Sequence, residues 1–219
     1  MIEITTQEIG GLYPAILSMR NPKNSWHLSD SQSEFANIET KIGDKDLKLA
    51  QNLIKAGKEH AKFLRSIQVW ADMDMTRFFW SEFDTYSFNT KNSCSTMHTL
   101  LNPKNEITLD AFDYYKEDED IVVLVIERLN HIREMFLNTD NYEEQSKLKR
   151  RAKCLLMEGF LQLRTVNTNY AELRNIMLQR KNHQMKKDWQ DTFCKWVTTL
   201  PYAKELIFFG IEDEYERLK

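Results

Sequence analysis

The sequence predicts an α+β fold, arranged as a single domain over residues 1–219 with a mixed or antiparallel sheet and long helices. Several segments carry apolar residues at three- and four-residue steps, which is typical of amphipathic helices. Another segment alternates apolar and polar residues, which is typical of a half-buried strand. The chain has only six Gly and four Pro, and its composition does not shift along its length, so nothing indicates a loop-rich sandwich or a linker between domains.

In the first half of the chain, residues 44–65 predict a helix that begins at Asp44, a good capping residue. The period then changes, and residues 66–75 predict a strand with one apolar face. Residues 77–86 are dense in aromatic side chains, and we expect them to be at least half buried.

The second half is richer in helix. Residues 101–112 predict a turn followed by a short helix, and residues 142–156 predict a longer one. Residues 117–138 predict a helix whose acidic start suits the helix dipole, although their β-branched run leaves a strand as a weaker alternative. Residues 159–167 begin with Gly, show no helical stripe and predict an extended segment.

The last long element is predicted as one helix over residues 169–200. Asn169 followed by Glu172 is close to a capping box. At about 100° per residue, Asn169 and Arg180 share a polar face, and Asn175 borders the apolar stripe. That stripe is expected to contain Ala171, Leu178, Met185, Trp189 and Trp196.

Composition excludes several classes of protein. The net charge of −3 does not suggest a nucleic-acid-binding domain, and no apolar run approaches the roughly 20 residues of a membrane span. The N-terminus lacks the pattern of a signal peptide. Three cysteines, odd in number and far apart, suit a reducing cytoplasm, and the histidines show no metal-ligand spacing. The sequence has neither GxGxxG nor GxxxxGK[ST].

Several polar positions remain open between a structural and a functional interpretation. The stretch 87–98, SFNTKNSCSTMH, is either a polar turn or a ligand site, in which Cys94, Ser93 or Ser95 is a candidate nucleophile paired with His98. His60, near a predicted helix end, is either packed or capping, or is in contact with a ligand. Arg180 lies on a solvated helix face or presents its fork of donors to a phosphate or a uracil-like edge.

From about residue 55 to residue 200, the order and spacing of these motifs resemble the flavin-dependent thymidylate synthases. The family pattern N-x5-N-x4-R matches NYAELRNIMLQR at Asn169, Asn175 and Arg180. The family also has a Glu-His pair upstream, which EH at 59–60 resembles. The resemblance implies the fold of that family.

The signature motif of the family, Arg-His-Arg followed by spaced Ser, Asn-Glu, Ser and Arg-Tyr, falls on residues 85–98. Asn92 and Ser95 match it, whereas Ser87 and Met97 stand where the family has arginines. Outside this motif, Glu82 upstream stands where the family has a Gln, and Lys153 downstream replaces another arginine of the site. Replacing Arg by Lys keeps the charge but loses the bidentate fork.

The resemblance implies an enzyme that methylates dUMP, or a related pyrimidine nucleotide, with methylenetetrahydrofolate as carbon donor and FAD reduced by NADPH. It implies a homotetramer whose sites are shared between subunits. The alternative is a catalytically altered or inactive relative that binds nucleotide or flavin on the same scaffold.

The same resemblance assigns residue roles. The implied catalytic residues are Ser95 and Arg180. The implied cofactor contacts are His60, Asn92, Asn169 and Asn175. The implied substrate contacts are Glu82, Ser87, Ser93, Ser95, Lys153 and Arg180.

Overall fold

The computed structural model describes residues 2–33, 40–102, 104 and 106–219. It confirms the predicted α+β class, with an antiparallel sheet and long helices. The chain divides into two compact units. The first comprises Met1–Glu3, Met73–Thr85 and Asn92–Arg164, and the second comprises Ile4–Asp72, Tyr86–Lys91 and Thr165–Lys219. The extent of a single domain over residues 1–219 stays a prediction.

The strands are β1 (Glu3–Gly10), β2 (Gln32–Ser33), β3 (Thr40–Lys41), β4 (Gln68–Thr76), β5 (Thr90–Ser93) and β6 (Leu161–Asn169). The α-helices are α1 (Leu12–Ser18), α2 (Asp44–Lys55), α3 (Arg77–Phe83), α4 (Thr96–Thr99), α5 (Glu119–Leu137), α6 (Tyr142–Leu155), α7 (Tyr170–Arg180), α8 (Lys186–Asp188), α9 (Lys195–Thr198) and α10 (Glu212–Leu218). Short 3-10 turns and two π-helical segments, Trp189–Cys194 and Ala203–Ile207, connect them.

The main sheet has four strands in the order β1-β4-β6-β5. Its central pair is antiparallel, since the residue before β4 bonds the residue after β6: Ile67 O accepts from Tyr170 N at 3.1 Å. At the other end of the same pair, Phe160 O accepts from Arg77 N at 3.1 Å. The smaller sheet pairs β2 with β3, with Gln32 opposite Lys41.

The predicted strand at 66–75 is confirmed as β4. Its alternating residues Val69, Ala71, Met73 and Met75 are fully buried, while the residues between them are half-buried. Period-2 patterning places one face of such a strand against the core, which explains why a sequence pattern was enough to find it.

The first unit is built around α3, α5 and α6. The aromatic run was predicted to be at least half buried, and Phe79, Trp80 and Phe83 are almost completely so, with ring centroids 5.5–5.6 Å apart. The predicted helices 117–138 and 142–156 are confirmed as α5 and α6. They pack on each other through a cluster that includes Val122, Leu129, Ile132, Leu148 and Ala152.

The prediction of one helix over 44–65 is wrong in its second half. Helix α2 ends at Lys55, and Gly57 follows with φ of +110°, a conformation that favours glycine and commonly ends a helix. The chain then forms a 3-10 helix over Ala61–Ser66 before β4 begins. Spacing of apolar residues continued through this region, but the backbone did not stay helical.

The single helix predicted over 169–200 is also wrong. Helix α7 ends at Arg180, and a non-helical segment precedes α8. In that segment the His183 Nδ1 atom accepts a hydrogen bond from Met185 N, a local bond that competes with helical pairing. The break redirects the chain so that Trp189 and Phe193 become fully buried.

The apolar stripe expected on this helix is corrected as well. Leu178 and Met185 are 46% and 49% exposed, whereas Leu173 and Ile176 on the face predicted to be polar are fully buried. Because the helix ends early, residues beyond 180 do not extend its stripe. The buried face is therefore set by the tertiary packing of α7.

A buried ion pair fixes the N-terminal segment of the second unit to α2. Asp46 is fully buried and accepts hydrogen bonds from Arg20 Nε at 2.6 Å, from Ser29 Oγ at 2.6 Å and from Ser31 N and Oγ at 3.2 and 2.6 Å. Burial raises the pKa of Asp46, but the hydrogen bonds from Ser29, Ser31 and Arg20 outweigh it and lower the pKa below its usual range.

Candidate functional site

The second unit contains a cavity of about 330 Å³ beside α7, which we call the α7 cavity. Asn169, Glu172, Arg174, Asn175 and Leu178 line it from β6 and α7. Its other walls are Ile54, Gly57, Lys58, Ala61, Leu64, Arg65, Phe88 and Ala171. The combination of a largely apolar wall with a few amide and charged groups is typical of a small-molecule site.

Asn169 has two structural bonds at the mouth of this cavity. Its Oδ1 atom accepts from Glu172 N at 3.0 Å, which confirms the predicted helix cap. Its Nδ2 atom donates to Phe88 O at 3.3 Å and so ties the loop before β5 to α7. One side chain therefore positions both walls of the cavity.

Asn175 borders an apolar surface, where an amide needs a hydrogen-bond partner. That partner is Gln179, one turn later, whose Nε2 atom donates to Asn175 Oδ1 at 3.1 Å. Its neighbour Arg174 donates from Nη1 to Ile207 O at 2.6 Å, and burial lowers the pKa of this guanidinium from its ordinary value. Arginine stays protonated at neutral pH despite such a shift. The cavity thus holds a fixed cation beside two amides.

A second cavity of about 310 Å³, which we call the polar cup, shares Phe88 and Asn169 with the α7 cavity. It is completed by Gln68, Ser87, Asn89, Thr90, Asn167 and Thr168. Two buried polar atoms of these residues, Thr168 Oγ1 and Asn89 Oδ1, have no hydrogen-bond partner within the part of the chain that the structure describes. Buried polar atoms normally have partners, so the cup suits a ligand with hydroxyl or amide groups.

Arg180 lies at the other end of α7, about 16 Å along the helix axis from Asn169 at 1.5 Å per residue. Its Nε atom donates to Tyr86 Oη at 2.8 Å. Its guanidinium lies 4.5 Å from the ring centroid of Trp189. Asn169 and Arg180 share a helix face as predicted from sequence, but Arg180 does not line the α7 cavity.

The polar stretch 87–98 contains β5 and the first three residues of α4. Asn92 and Ser93 are exposed in β5, and Cys94 N donates to Leu163 O at 2.9 Å as the strand ends. Ser95 is the N-cap of α4, with Oγ accepting from Met97 N at 3.3 Å. This arrangement gives Ser95 a capping role and leaves the Cys94 thiol exposed.

The first unit has a basic cavity of about 340 Å³ on α6, which we call the α6 cavity. Lys149, Arg150 and Lys153 line it together with Met97, and Ser146 and Cys154 complete the wall. Lys153 lies on the same side of the helix as Lys149 and Arg150, because it follows them by four and three residues. No carboxylate is among the described residues that line it, so it is suited to an anion.

The structure therefore brings together some of the predicted site residues and not others. Asn169 and Asn175 line the α7 cavity and Ser87 lines the polar cup. His60 is exposed and its side chain makes no capping bond, so the expectation that it is packed or capping is wrong. Its neighbours Lys58 and Ala61 line the α7 cavity. Glu82 lies on α3 and Lys153 on α6, both in the first unit.

The sequence patterns did not identify Arg174, Phe88 or Thr168 as lining residues, whereas the basic run at 147–153 indicated a solvated helix face or, second, an anion contact. Arg174 stands directly before Asn175, so its position carried a signal. The exposed ring of Phe88 and the buried hydroxyl of Thr168 carried none, because their place depends on strand pairing.

Over the described part of the chain, no helix has the length and apolar character needed to cross a membrane. Nor do the described side chains form a group of three or more His, Cys, Asp or Glu residues that could hold a metal ion.

The sequence matches no family model and no curated protein. Solved structures do match. Thymidylate synthase X (ThyX) from Helicobacter pylori with FAD and dUMP has a TM-score of 0.70 at 18% identity, over 99% of this chain and 100% of that one. A second structure, the flavin-dependent thymidylate synthase ThyX from Helicobacter pylori complexed with FAD and dUMP, has a TM-score of 0.68 at 19% identity, over 95% of this chain and 98% of that one. The chain therefore has the fold of the flavin-dependent thymidylate synthases.

Proposed function

We propose that this chain binds FAD and a pyrimidine nucleotide, dUMP or a close relative, and methylates the nucleotide as a flavin-dependent thymidylate synthase does. The observation that carries the proposal is the pair of adjoining cavities walled by Asn169 and Phe88, on a fold shared with proteins solved with FAD and dUMP.

The two cavities fit the chemistry of FAD. The α7 cavity has apolar walls, including Phe88 and Leu178, beside the amides of Asn169 and Asn175, which suits a flat ring with polar edges. The polar cup, with the unpartnered Thr168 Oγ1, suits a chain of hydroxyl groups. We assign cofactor contacts to Asn169 and Asn175, and also to His60 and Asn92. When bound, FAD supplies the hydride chemistry, while the protein binds and orients the reactants.

We propose that different side chains hold the base and the phosphate of the nucleotide. Arg180 is proposed to hold the base, because a guanidinium presents donors in one plane and fits a carbonyl edge. Lys153 is proposed to hold the phosphate. Lys149 and Arg150 line the same cavity and are proposed to supply the positive charge that is missing because Met97 stands where the family has an arginine. Ser95 is proposed to lie beside the reacting base.

Further substrate contacts are proposed for Glu82, Ser87 and Ser93. NADPH and methylenetetrahydrofolate are the proposed co-substrates. The proposal includes a cytoplasmic homotetramer with sites shared between subunits.

The flavin part of the proposal is tested by purifying the full-length protein and recording its visible spectrum before and after adding FAD. We expect the absorbance of oxidised flavin and formation of dTMP from dUMP when both co-substrates are supplied. A protein that takes up neither FAD nor dUMP would refute the proposal. Uptake of FAD and dUMP without turnover would refute its methylation step and leave binding alone.

The nucleotide part is tested with Arg180→Ala. Losing a charge-assisted hydrogen bond costs about 1.5–3 kcal/mol, so the affinity for dUMP should fall roughly 10- to 150-fold. Arg128→Ala is the matched control, because Arg128 is an exposed arginine on α5. If both variants bind dUMP as the parent protein does, the assignment of Arg180 is wrong.

A further inference from the structure

Arg180 is held from two sides by aromatic side chains. On one side, Tyr86 Oη accepts a hydrogen bond from Arg180 Nε at 2.8 Å and donates one to Gln179 Oε1 at 3.3 Å. On the other side, the guanidinium lies over the Trp189 ring, 4.5 Å from its centroid. The two rings meet edge to face with centroids 6.4 Å apart.

These aromatic residues are themselves buried and packed. Trp189 is fully buried and also packs edge to face against Phe193 at 5.5 Å. Tyr86 is only 6% exposed. A rotamer-rich arginine loses its freedom when it binds a ligand, and a preformed orientation removes that loss. The half-buried Arg180 is thus set in place by its own unit before any ligand arrives.

The interruption of the predicted long helix explains how this arrangement forms. Arg180 is the last residue of α7, and Trp189 begins the π-helical segment after the break. A continuous helix would carry Trp189 more than two turns beyond Arg180 along the axis. The break instead folds Trp189 back against the guanidinium. π-helical turns are frequent at functional sites, which fits this location.

We propose that Tyr86 and Trp189 are positioning residues, which fix the plane of the Arg180 guanidinium for the base of the nucleotide. This inference rests on the proposed function, because it takes Arg180 to be the group that contacts the base. Tyr86 acts through the Nε hydrogen bond and Trp189 through the face of its indole. Neither residue needs to touch the nucleotide itself.

The test is a double-mutant cycle on the full-length, FAD-saturated protein, with dUMP affinity measured by calorimetry. Tyr86→Phe keeps the ring and removes only the hydroxyl, and we expect about a tenfold loss of affinity. Trp189→Phe should weaken binding less, about threefold, because a phenyl ring attracts a cation less than an indole does. In the Arg180→Ala background, Tyr86→Phe should cause no further loss.

Tyr202→Phe is the matched control. Its hydroxyl also has two hydrogen bonds in the same unit, accepting from Ile42 N at 2.9 Å and donating to Thr40 O at 3.3 Å. A general loss of stability would affect this variant and Tyr86→Phe alike. Only Tyr86→Phe should change dUMP affinity, while both should melt at similar temperatures.

The outcomes separate the two proposals. If Arg180→Ala weakens binding but Tyr86→Phe and Trp189→Phe bind normally, the positioning role is overturned and the proposed function stands. If Tyr86→Phe weakens binding equally with and without Arg180, the effect does not pass through Arg180 and the inference is again overturned. If Arg180→Ala binds dUMP normally, the nucleotide assignment and the inference built on it both fail.

Discussion

Asn169 has a structural and a proposed cofactor-binding role, and two substitutions should separate them. Its Oδ1 atom caps α7 by accepting from Glu172 N at 3.0 Å, and its Nδ2 atom donates to Phe88 O at 3.3 Å. Asn169→Ala removes both groups. Asn169→Asp keeps an oxygen that can cap the helix but replaces the amide donor with a second acceptor.

The expected stabilities follow from the cap. Losing an Asn cap costs about 1 kcal/mol, so Asn169→Ala should melt roughly 2–4 °C lower for a chain of this size. Asn169→Asp should melt higher than Asn169→Ala, because aspartate caps equally well and its charge suits a helix N-terminus, although it too loses the donor to Phe88 O. Circular dichroism without ligand measures both.

The expected affinities differ from the stabilities. Losing one neutral hydrogen bond costs about 1 kcal/mol, so Asn169→Ala should bind FAD roughly fivefold more weakly. Asn169→Asp should lose at least as much, because a carboxylate cannot donate and repels the cofactor's phosphates. Quenching of flavin fluorescence on titration measures the affinity.

Asn141 supplies the matched control. It caps α6 by the same bond, with Oδ1 accepting from Glu144 N at 3.1 Å. Asn141→Ala should therefore lose the stability of one cap, no more than Asn169→Ala loses, and bind FAD normally. An Asn169→Asp variant that binds FAD as tightly as the parent, or that melts as low as Asn169→Ala, would refute this separation of the two roles.

Four further predictions concern the buried ion pair and the thiols. Asp46→Asn should destabilise the protein by about 3 kcal/mol in urea unfolding at neutral pH, because it leaves the Arg20 charge buried without its partner. Folding lowers the pKa of Asp46, so its carboxylate stabilises the folded protein above the unfolded pKa of about 3.9. This contribution is lost as the pH falls through the pKa of the folded state. Asp46→Asn should therefore show a flatter decrease in stability at acid pH than the parent protein. In a thiol-labelling assay, the exposed Cys94 and Cys154 should react in the native protein. Cys194 should react only after unfolding, because it is buried and its burial raises its pKa to about 12. Rapid labelling of a third thiol in the native protein would contradict the burial of Cys194. Cys94→Ser should leave dTMP formation nearly unchanged, and an inactive variant would revive the thiol as a nucleophile.

Local signals in the sequence were enough to predict much of the fold. The alternation in β4 and the apolar spacing in α5 and α6 appear directly as buried faces. The Asn169 cap was predicted because a cap involves residues only three positions apart. The resemblance of short motifs also led to the fold that the solved structures share.

The candidate site depended on contacts that no local pattern encodes. The polar cup joins the loop before β5 to the end of β6, so the burial of Thr168 Oγ1 follows from the folding of two distant segments. The α6 cavity likewise needs Met97 beside a helix some fifty residues later in the chain. The spacing of apolar residues was enough to predict that Asn175 and Lys153 lie on helices. It does not indicate which side chains from other segments lie opposite them.

By itself, the sequence determined the α+β class, the strand β4, the capped start of α7 and the polar character of the residues at its site. The tertiary structure alone decided where α7 ends, which of its faces is buried and what holds Arg180. The physical reason is distance along the chain: Tyr86 lies 94 residues from Arg180, and Trp189 reaches the guanidinium only through a break in the helix. Helical periodicity describes neighbours within a turn, whereas these side chains meet because the core buries Trp189 and Tyr86 together.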